Sequence, residues 1–67
     1  MKFNEKLKEA RKLIGVSQKD VATAIGIERT TYSNYEQGIR EPDLATLTKL
    51  CIFFNVSADY LLGITDY

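Results

Sequence analysis

Residue types that build catalytic and metal sites are scarce in this chain of 67 residues. It contains no histidine and a single cysteine, and no paired carboxylates lie in an evident pocket. An enzyme would therefore lack an obvious acid, base, nucleophile or ligand set, so we expect neither catalysis nor a cofactor or metal. One cysteine cannot form an internal disulfide. Cys51 lies in an apolar helical pattern, so we interpret it as a buried, reduced core thiol.

Long hydrophobic runs are absent as well. No apolar segment is long enough to span a membrane, and the first residues lead directly into a charged helical pattern, which is not typical of a signal peptide. We therefore expect a cytoplasmic protein without membrane contacts. The chain, 45% hydrophobic, has room for one small domain, residues 1–67. A domain of this size buries only about 60% of its unfolded surface, so it needs tight helical packing or a dimer.

The chain has no net charge, because nine basic residues cancel nine acidic ones, and this argues against a simple DNA-binding protein. The distribution of charge weakens that objection. Residues 1–12 hold five basic and two acidic residues, whereas residues 41–67 hold one basic and four acidic residues. The basic end of such a dipole can approach phosphate, although each lysine can equally be part of a solvated charged face.

The spacing of apolar residues predicts an all-α, compact five-helix bundle, and strand signals are absent. Capping residues and glycines delimit the helices, which are expected over about residues 3–13, from Ser17 to Gly26, over about 29–37, from Pro42 to Asn55, and over 58–62. Apolar residues of the first helix recur at Phe3, Leu7, Ala10 and Ile14. The stripe expected to cover the first three helices consists of Leu44, Leu47, Leu50, Cys51 and Phe54.

Two short amphipathic patterns flank Gly26 within residues 18–37. Val21 and Ile25 lie on one face of the first pattern, and Tyr32 and Tyr35 lie on one face of the second. Glycine between them allows the left-handed backbone that a sharp turn needs. This arrangement is typical of a helix-turn-helix, in which the second helix is presented to a DNA major groove.

The face of the second helix opposite the tyrosines is unusually rich in hydrogen-bonding groups. At about 100° per residue, this face carries Arg29, Thr30, Ser33, Asn34 and Gln37. An ordinary solvated face carries mostly Lys and Glu, whereas these residue types have the geometry to read base edges. We predict that they read DNA bases, and the alternative interpretation is a polar surface helix.

Four motifs, SQKDVATAIG, YSNYEQG, REPDLATLTKL and FNVSADYLLG, together resemble the Cro and repressor (XRE) family of helix-turn-helix regulators over nearly the whole chain. The resemblance implies a lambda-repressor-like fold, with Arg29, Thr30 and Asn34 at base-reading positions. It also implies an ion pair between Arg11 and Glu36 that ties the first helix to the end of the third. The residues predicted to contact the DNA backbone are Ser17, Gln18, Thr31, Lys12 and Arg40, and Gln18 would also support the recognition helix.

Two features depart from the family pattern. Glu28 stands where Ser or Thr is common before the recognition helix, and an acid there could cap that helix. Tyr32 and Tyr35 replace aliphatic residues on its inner face. Their hydroxyls need partners or an exit to solvent, where either one could reach a phosphate.

The C-terminal segment carries more apolar residues than one short helix can bury. We predict that the excess forms a dimer interface, made of Ile39, Tyr60, Leu62, Ile64 and Tyr67. The sequence thus predicts a transcriptional repressor that binds double-stranded DNA as a homodimer on a near-palindromic operator. The alternative is a protein-interaction module, such as an antitoxin or an anti-repressor, with a protein as its partner. The neutral net charge keeps this alternative open.

Overall fold

The computed structural model describes residues 2–65, which form five helices. These are α1 (Phe3–Ile14), α2 (Gln18–Ile25), α3 (Arg29–Gln37), α4 (Leu44–Phe54) and α5 (Ala58–Leu61). No strand occurs between residues 2 and 65, so the all-α prediction is confirmed. α1 continues one residue further than predicted, through Ile14, and α5 ends one residue earlier, at Leu61. Ser17, Gly26 and Asn55 are caps outside the helices, and Pro42 lies two residues before the start of α4. Tyr67 of the predicted dimer interface lies outside the described residues.

Side chains at the starts of α2, α4 and α5 accept backbone N–H groups that the helix itself leaves unpaired. The hydroxyl of Ser17 accepts the N–H of Asp20 at 3.0 Å, and the Asp20 carboxylate accepts the N–H of Ser17 at 3.0 Å. This reciprocal pair is a capping box and starts α2. Asp43 and Ser57 start α4 and α5 in the simpler way, by accepting one backbone N–H each.

Gly26 allows the turn between α2 and α3. Its φ of 78° lies in the left-handed region, and its N–H donates to the carbonyl of Ala22 at 2.9 Å. The N–H of Ile27 donates to the same carbonyl at 3.0 Å, so the turn closes on the last turn of α2. α3 can therefore fold back across α2, where Ala22 is buried beneath it.

Every helix contributes to one shared core. α3 packs against α1 and α2, α4 packs against α2, and α5 closes the bundle against α1 and α4. Each of the five helices supplies one side chain that is completely buried, namely Leu7, Val21, Tyr32, Leu50 and Leu61. Loss of any of these side chains would remove contacts between at least two helices.

Two residues of the predicted apolar stripes lie outside this core. Leu44 is 82% exposed and Ile14 is half exposed, so the prediction that both are buried is wrong. Ile14 is the last residue of α1 and Leu44 is the first residue of α4. A side chain at the end of a helix has no further helical turn beside it and stays open to solvent on that side. Cys51 is partly buried against the core, and burial raises the pKa of its thiol, which keeps it protonated.

None of the helices within residues 2–65 combines the length and the apolar composition that a membrane crossing requires.

Candidate nucleic-acid interface

The carboxylate of Glu36, buried at the end of α3, accepts hydrogen bonds from all three of the first helices. Arg11 of α1 donates from Nε at 2.7 Å and from Nη2 at 3.1 Å, and Gln18 of α2 donates from Nε2 at 3.1 Å. The hydroxyl of Tyr32, within α3 itself, donates at 2.5 Å. Arg11 also donates from Nη1 to the carbonyl of Val16 at 3.0 Å. The ion pair implied by the family resemblance is therefore present.

The interactions within this network keep Glu36 and Arg11 in their charged forms. Burial alone would raise the pKa of Glu36, but the hydrogen bonds from Arg11, Tyr32 and Gln18 outweigh burial and hold this pKa below its usual 4.5. The hydrogen bond to Glu36 raises the pKa of Arg11, and burial is the main cause that raises the pKa of Tyr32. Carboxylate and guanidinium therefore stay charged while the phenol stays neutral.

Two of the five basic residues at the predicted positive end are not available to DNA. Arg11 forms an ion pair with Glu36, and Lys6 is buried with its Nζ 4.5 Å from the centroid of the Tyr60 ring. Lys2, Lys8 and Lys12 remain exposed. Packing within the bundle therefore uses part of the positive charge that the predicted dipole places at this end.

Tyr60 likewise contacts its own chain. Its ring covers Lys6, and its hydroxyl donates to Oε1 of Glu9 at 3.3 Å, so it joins α5 to α1. Its assignment to the dimer interface stays a prediction. The other described members of that predicted interface stay accessible, with exposed fractions of 70% for Ile39, 48% for Leu62 and 68% for Ile64.

The predicted base-reading residues share one face of α3. Tyr32 and Tyr35 are buried on the opposite face, as the helical spacing predicts. Three of the five predicted residues are exposed, namely Arg29, Thr30 and Gln37. The other two, Ser33 and Asn34, are half-buried. Gln37 donates from Nε2 to the hydroxyl of Ser33 at 2.9 Å, which leaves the Gln37 carbonyl and the Ser33 proton free for another partner.

The residues predicted to contact the DNA backbone surround this face. Three of them are exposed, namely Ser17, Lys12 and Arg40, and two are half-buried, namely Gln18 and Thr31. Gln18 contacts α3 through Glu36. Glu28 occupies the N-cap of α3, but its side chain accepts no capping hydrogen bond, so the prediction of an acidic cap is wrong.

The two tyrosines of α3 differ in the contacts that they make. Tyr32 donates to the buried Glu36, so its predicted access to a phosphate is wrong. Tyr35 packs edge-on against Tyr32, with ring centroids 6.5 Å apart.

Asn4, which the sequence analysis did not single out, donates from Nδ2 to the carbonyl of Glu36 at 3.4 Å. The two residues are 32 positions apart, and only the fold brings them together.

This arrangement defines the class of the protein. Residues 7–61 match the family model described as "Helix-turn-helix", and the chain belongs to this family, in its Cro and repressor (XRE) group. The family is one of DNA-binding transcriptional regulators and is not a class of enzymes. The predicted lambda-repressor-like fold is thereby confirmed.

Individual relatives agree with this membership. The chain is 48% identical over 63 residues to the HTH-type transcriptional regulator ImmR of Bacillus subtilis, covering 94% of this chain and 50% of ImmR. It is 50% identical over 60 residues to the SPbeta prophage-derived regulator YonR of the same organism, covering 90% of this chain and 56% of YonR. The chain thus spans about half the length of these curated relatives.

Solved structures show the same fold. The P22 c2 repressor, in a crystal structure with a synthetic operator, matches with a TM-score of 0.88 and 26% identity, covering 92% of this chain and 94% of that one.

Replacing Glu36 by Gln keeps the shape of the side chain and removes its charge. Because the pKa of Glu36 is lower in the folded chain than in the unfolded one, its contribution to stability is complete above about pH 4.5 and is lost as the pH falls through the folded pKa. The free energy of unfolding should therefore differ between parent and Glu36→Gln by about 3 kcal/mol near neutral pH, and by less at acidic pH.

Urea denaturation across this pH range measures the difference. The pKa values of Asp20 and Asp43 are also lowered by capping hydrogen bonds, but both residues are present in both proteins, so their effects cancel. A difference that stays constant with pH would contradict the charged role of Glu36.

Proposed function

We propose that this chain is the DNA-binding part of a sequence-specific transcriptional repressor that acts as a homodimer on a near-palindromic operator. The observation that carries the proposal is the exposed face of α3. Glu36 is the only acidic residue within α3, and it is buried, so the exposed face presents hydrogen-bonding groups and one arginine without any negative charge. Such a face matches the donors and acceptors of a major groove.

Within this proposal, Asn34 and Arg29 provide the specificity. The amide of asparagine can pair with adenine through two hydrogen bonds, and the guanidinium of arginine can pair with guanine in the same way. Thr30, Ser33 and Gln37 add single hydrogen bonds on the same face. Lys12 and Arg40, together with Ser17, Gln18 and Thr31, contact phosphates and fix the register.

Replacing Asn34 by Ala should weaken binding to the cognate operator by about 1 to 3 kcal/mol and relax the preference at one base pair. Replacing Lys12 by Ala should instead weaken cognate and random DNA equally, with a shallower dependence on salt. Fluorescence anisotropy titrations on both kinds of DNA at several salt concentrations compare the two variants. An equal loss on cognate and random DNA for Asn34→Ala would contradict base reading by this residue.

The exposed aliphatic side chains of Ile39, Leu62 and Ile64 support the homodimer. Two-fold pairing through this patch would place the two recognition helices about 34 Å apart, so that they enter successive major grooves. The patch is small, and the dimer that it forms is therefore weak in the absence of DNA.

Replacing Ile64 by Asp puts a charge into this patch and should abolish cooperative binding to a two-half-site operator, while binding to a single half-site remains. Ile52→Asp is the matched control, because Ile52 is similarly exposed, at 74%, but lies on α4. Titrations of half-site and full-site DNA, combined with sedimentation, distinguish the variants. Equal cooperativity of the parent and Ile64→Asp would exclude this interface.

The alternative of a protein-interaction module is not favoured, since the relatives ImmR and YonR are named as transcriptional regulators.

A further inference from the structure

The side chains of Ser33 and Gln37 are joined to each other on the exposed face of α3. Nε2 of Gln37 donates to the hydroxyl oxygen of Ser33 at 2.9 Å. The two residues lie about one helical turn apart, and their side chains leave the helix within about 40° of each other. Between residues 2 and 65, no other hydrogen bond joins two side chains of this face.

The position of Gln37 along α3 is unfavourable for base reading, because it is the last residue of the helix. In a helix-turn-helix, the residues near the N-terminal end of the recognition helix contact base edges. Helical side chains lean toward the N-terminal end, and the bond to Ser33 holds the Gln37 carboxamide over the preceding turn. Ser33 thus brings this carboxamide closer to the part of α3 that begins at Arg29.

This hydrogen bond adds little to the stability of the protein. Gln37 is exposed, and a side-chain bond across one turn of an exposed helix replaces bonds to water of similar strength. Its main effect is on the freedom of the Gln37 side chain, since an unrestrained glutamine loses much rotamer freedom when it binds. A side chain that is already held in one orientation loses less, so more of its hydrogen-bond energy appears as affinity.

The bond to Ser33 leaves the base-pairing edge of the Gln37 carboxamide available. A carboxamide has one N–H on the same side as its oxygen and a second N–H on the opposite side. Pairing with adenine uses the oxygen and the N–H beside it, so the second N–H can donate to Ser33 at the same time. Within the described part of the chain, the side chain of Gln37 makes no other hydrogen bond.

We propose that Ser33 is a positioning residue for Gln37, and that Gln37, held in this orientation, pairs with an adenine in the major groove. Ser33 acts through Gln37 and contacts no base of its own. The inference rests on the proposed DNA-binding function and deepens it, because one joint contact replaces the separate hydrogen bonds of the two residues.

Selection from a library of randomised DNA duplexes, by the parent and by each variant, identifies the base pair that each residue reads. Gln37→Ala should reduce the preference for adenine at one base pair about tenfold in relative affinity. Ser33→Ala should reduce the preference at the same base pair about threefold and leave the other base pairs unchanged, because only the orientation of Gln37 is lost. Ser33→Thr is the matched control, since it keeps the hydroxyl and should keep the preference of the parent.

A double-mutant cycle of Ser33→Ala and Gln37→Ala, on the duplex that the parent selects, gives a second measure. If Ser33 acts only through Gln37, the double variant should bind this duplex as tightly as Gln37→Ala does. Two independent readers would instead give a double variant whose loss of affinity is the product of the two single losses. Losses that multiply, or preferences lost at two different base pairs, would overturn the joint contact.

A measurement without DNA separates this inference from the proposed function. NMR relaxation of the side-chain amide nitrogen of Gln37 should show a restrained group in the parent and in Ser33→Thr, and a mobile group in Ser33→Ala, while thermal unfolding is the same in all three.

A parent that selects no preferred duplex, although its Gln37 amide is restrained, would contradict the proposed function and the adenine contact with it. A parent that selects a duplex, but whose Gln37 amide is equally mobile with and without the Ser33 hydroxyl, would overturn the positioning role and leave the proposed function intact.

Discussion

The buried carboxylate of Glu36 fixes the recognition helix to the rest of the bundle. A charge taken out of water is costly unless it is paired and hydrogen-bonded, and Arg11, Gln18 and Tyr32 meet this requirement from three helices. Because one carboxylate accepts all these bonds, α1 and α2 cannot shift relative to α3 without breaking one of them. The same bonds turn Glu36 away from solvent, which leaves the exposed face of α3 without negative charge.

This internal pairing has a consequence for binding. Arg11 forms an ion pair with Glu36, and Lys6 lies over the ring of Tyr60. Much of the positive charge near the N-terminus therefore stabilises the bundle. A domain with no net charge then depends for DNA affinity on a few cations at chosen places. Lys12 and Arg40 are exposed cations that can take this role in the proposed function.

The helices could be predicted from the sequence because their ends are marked locally. Ser17, Asp43 and Ser57 start three helices, and glycines end the first three. Contacts between distant segments could not be predicted, since no local pattern shows that Tyr60 covers Lys6 or that Asn4 reaches the carbonyl of Glu36. Helical spacing identified the exposed face of α3, but the bases that it contacts depend on DNA and stay a prediction.

We infer that the Glu36 network sets the orientation in which α3 meets DNA. Replacing Arg11 by Met, Tyr32 by Phe and Glu36 by Leu together tests this directly, because the variant keeps Gln18 but has no uncompensated buried charge, so the fold should persist. The quantity to measure is the ratio of affinities for operator and random DNA in the folded variant. We expect this ratio to fall by at least about tenfold, because the helix is no longer held in its reading position. A folded triple variant with the ratio of the parent would contradict it.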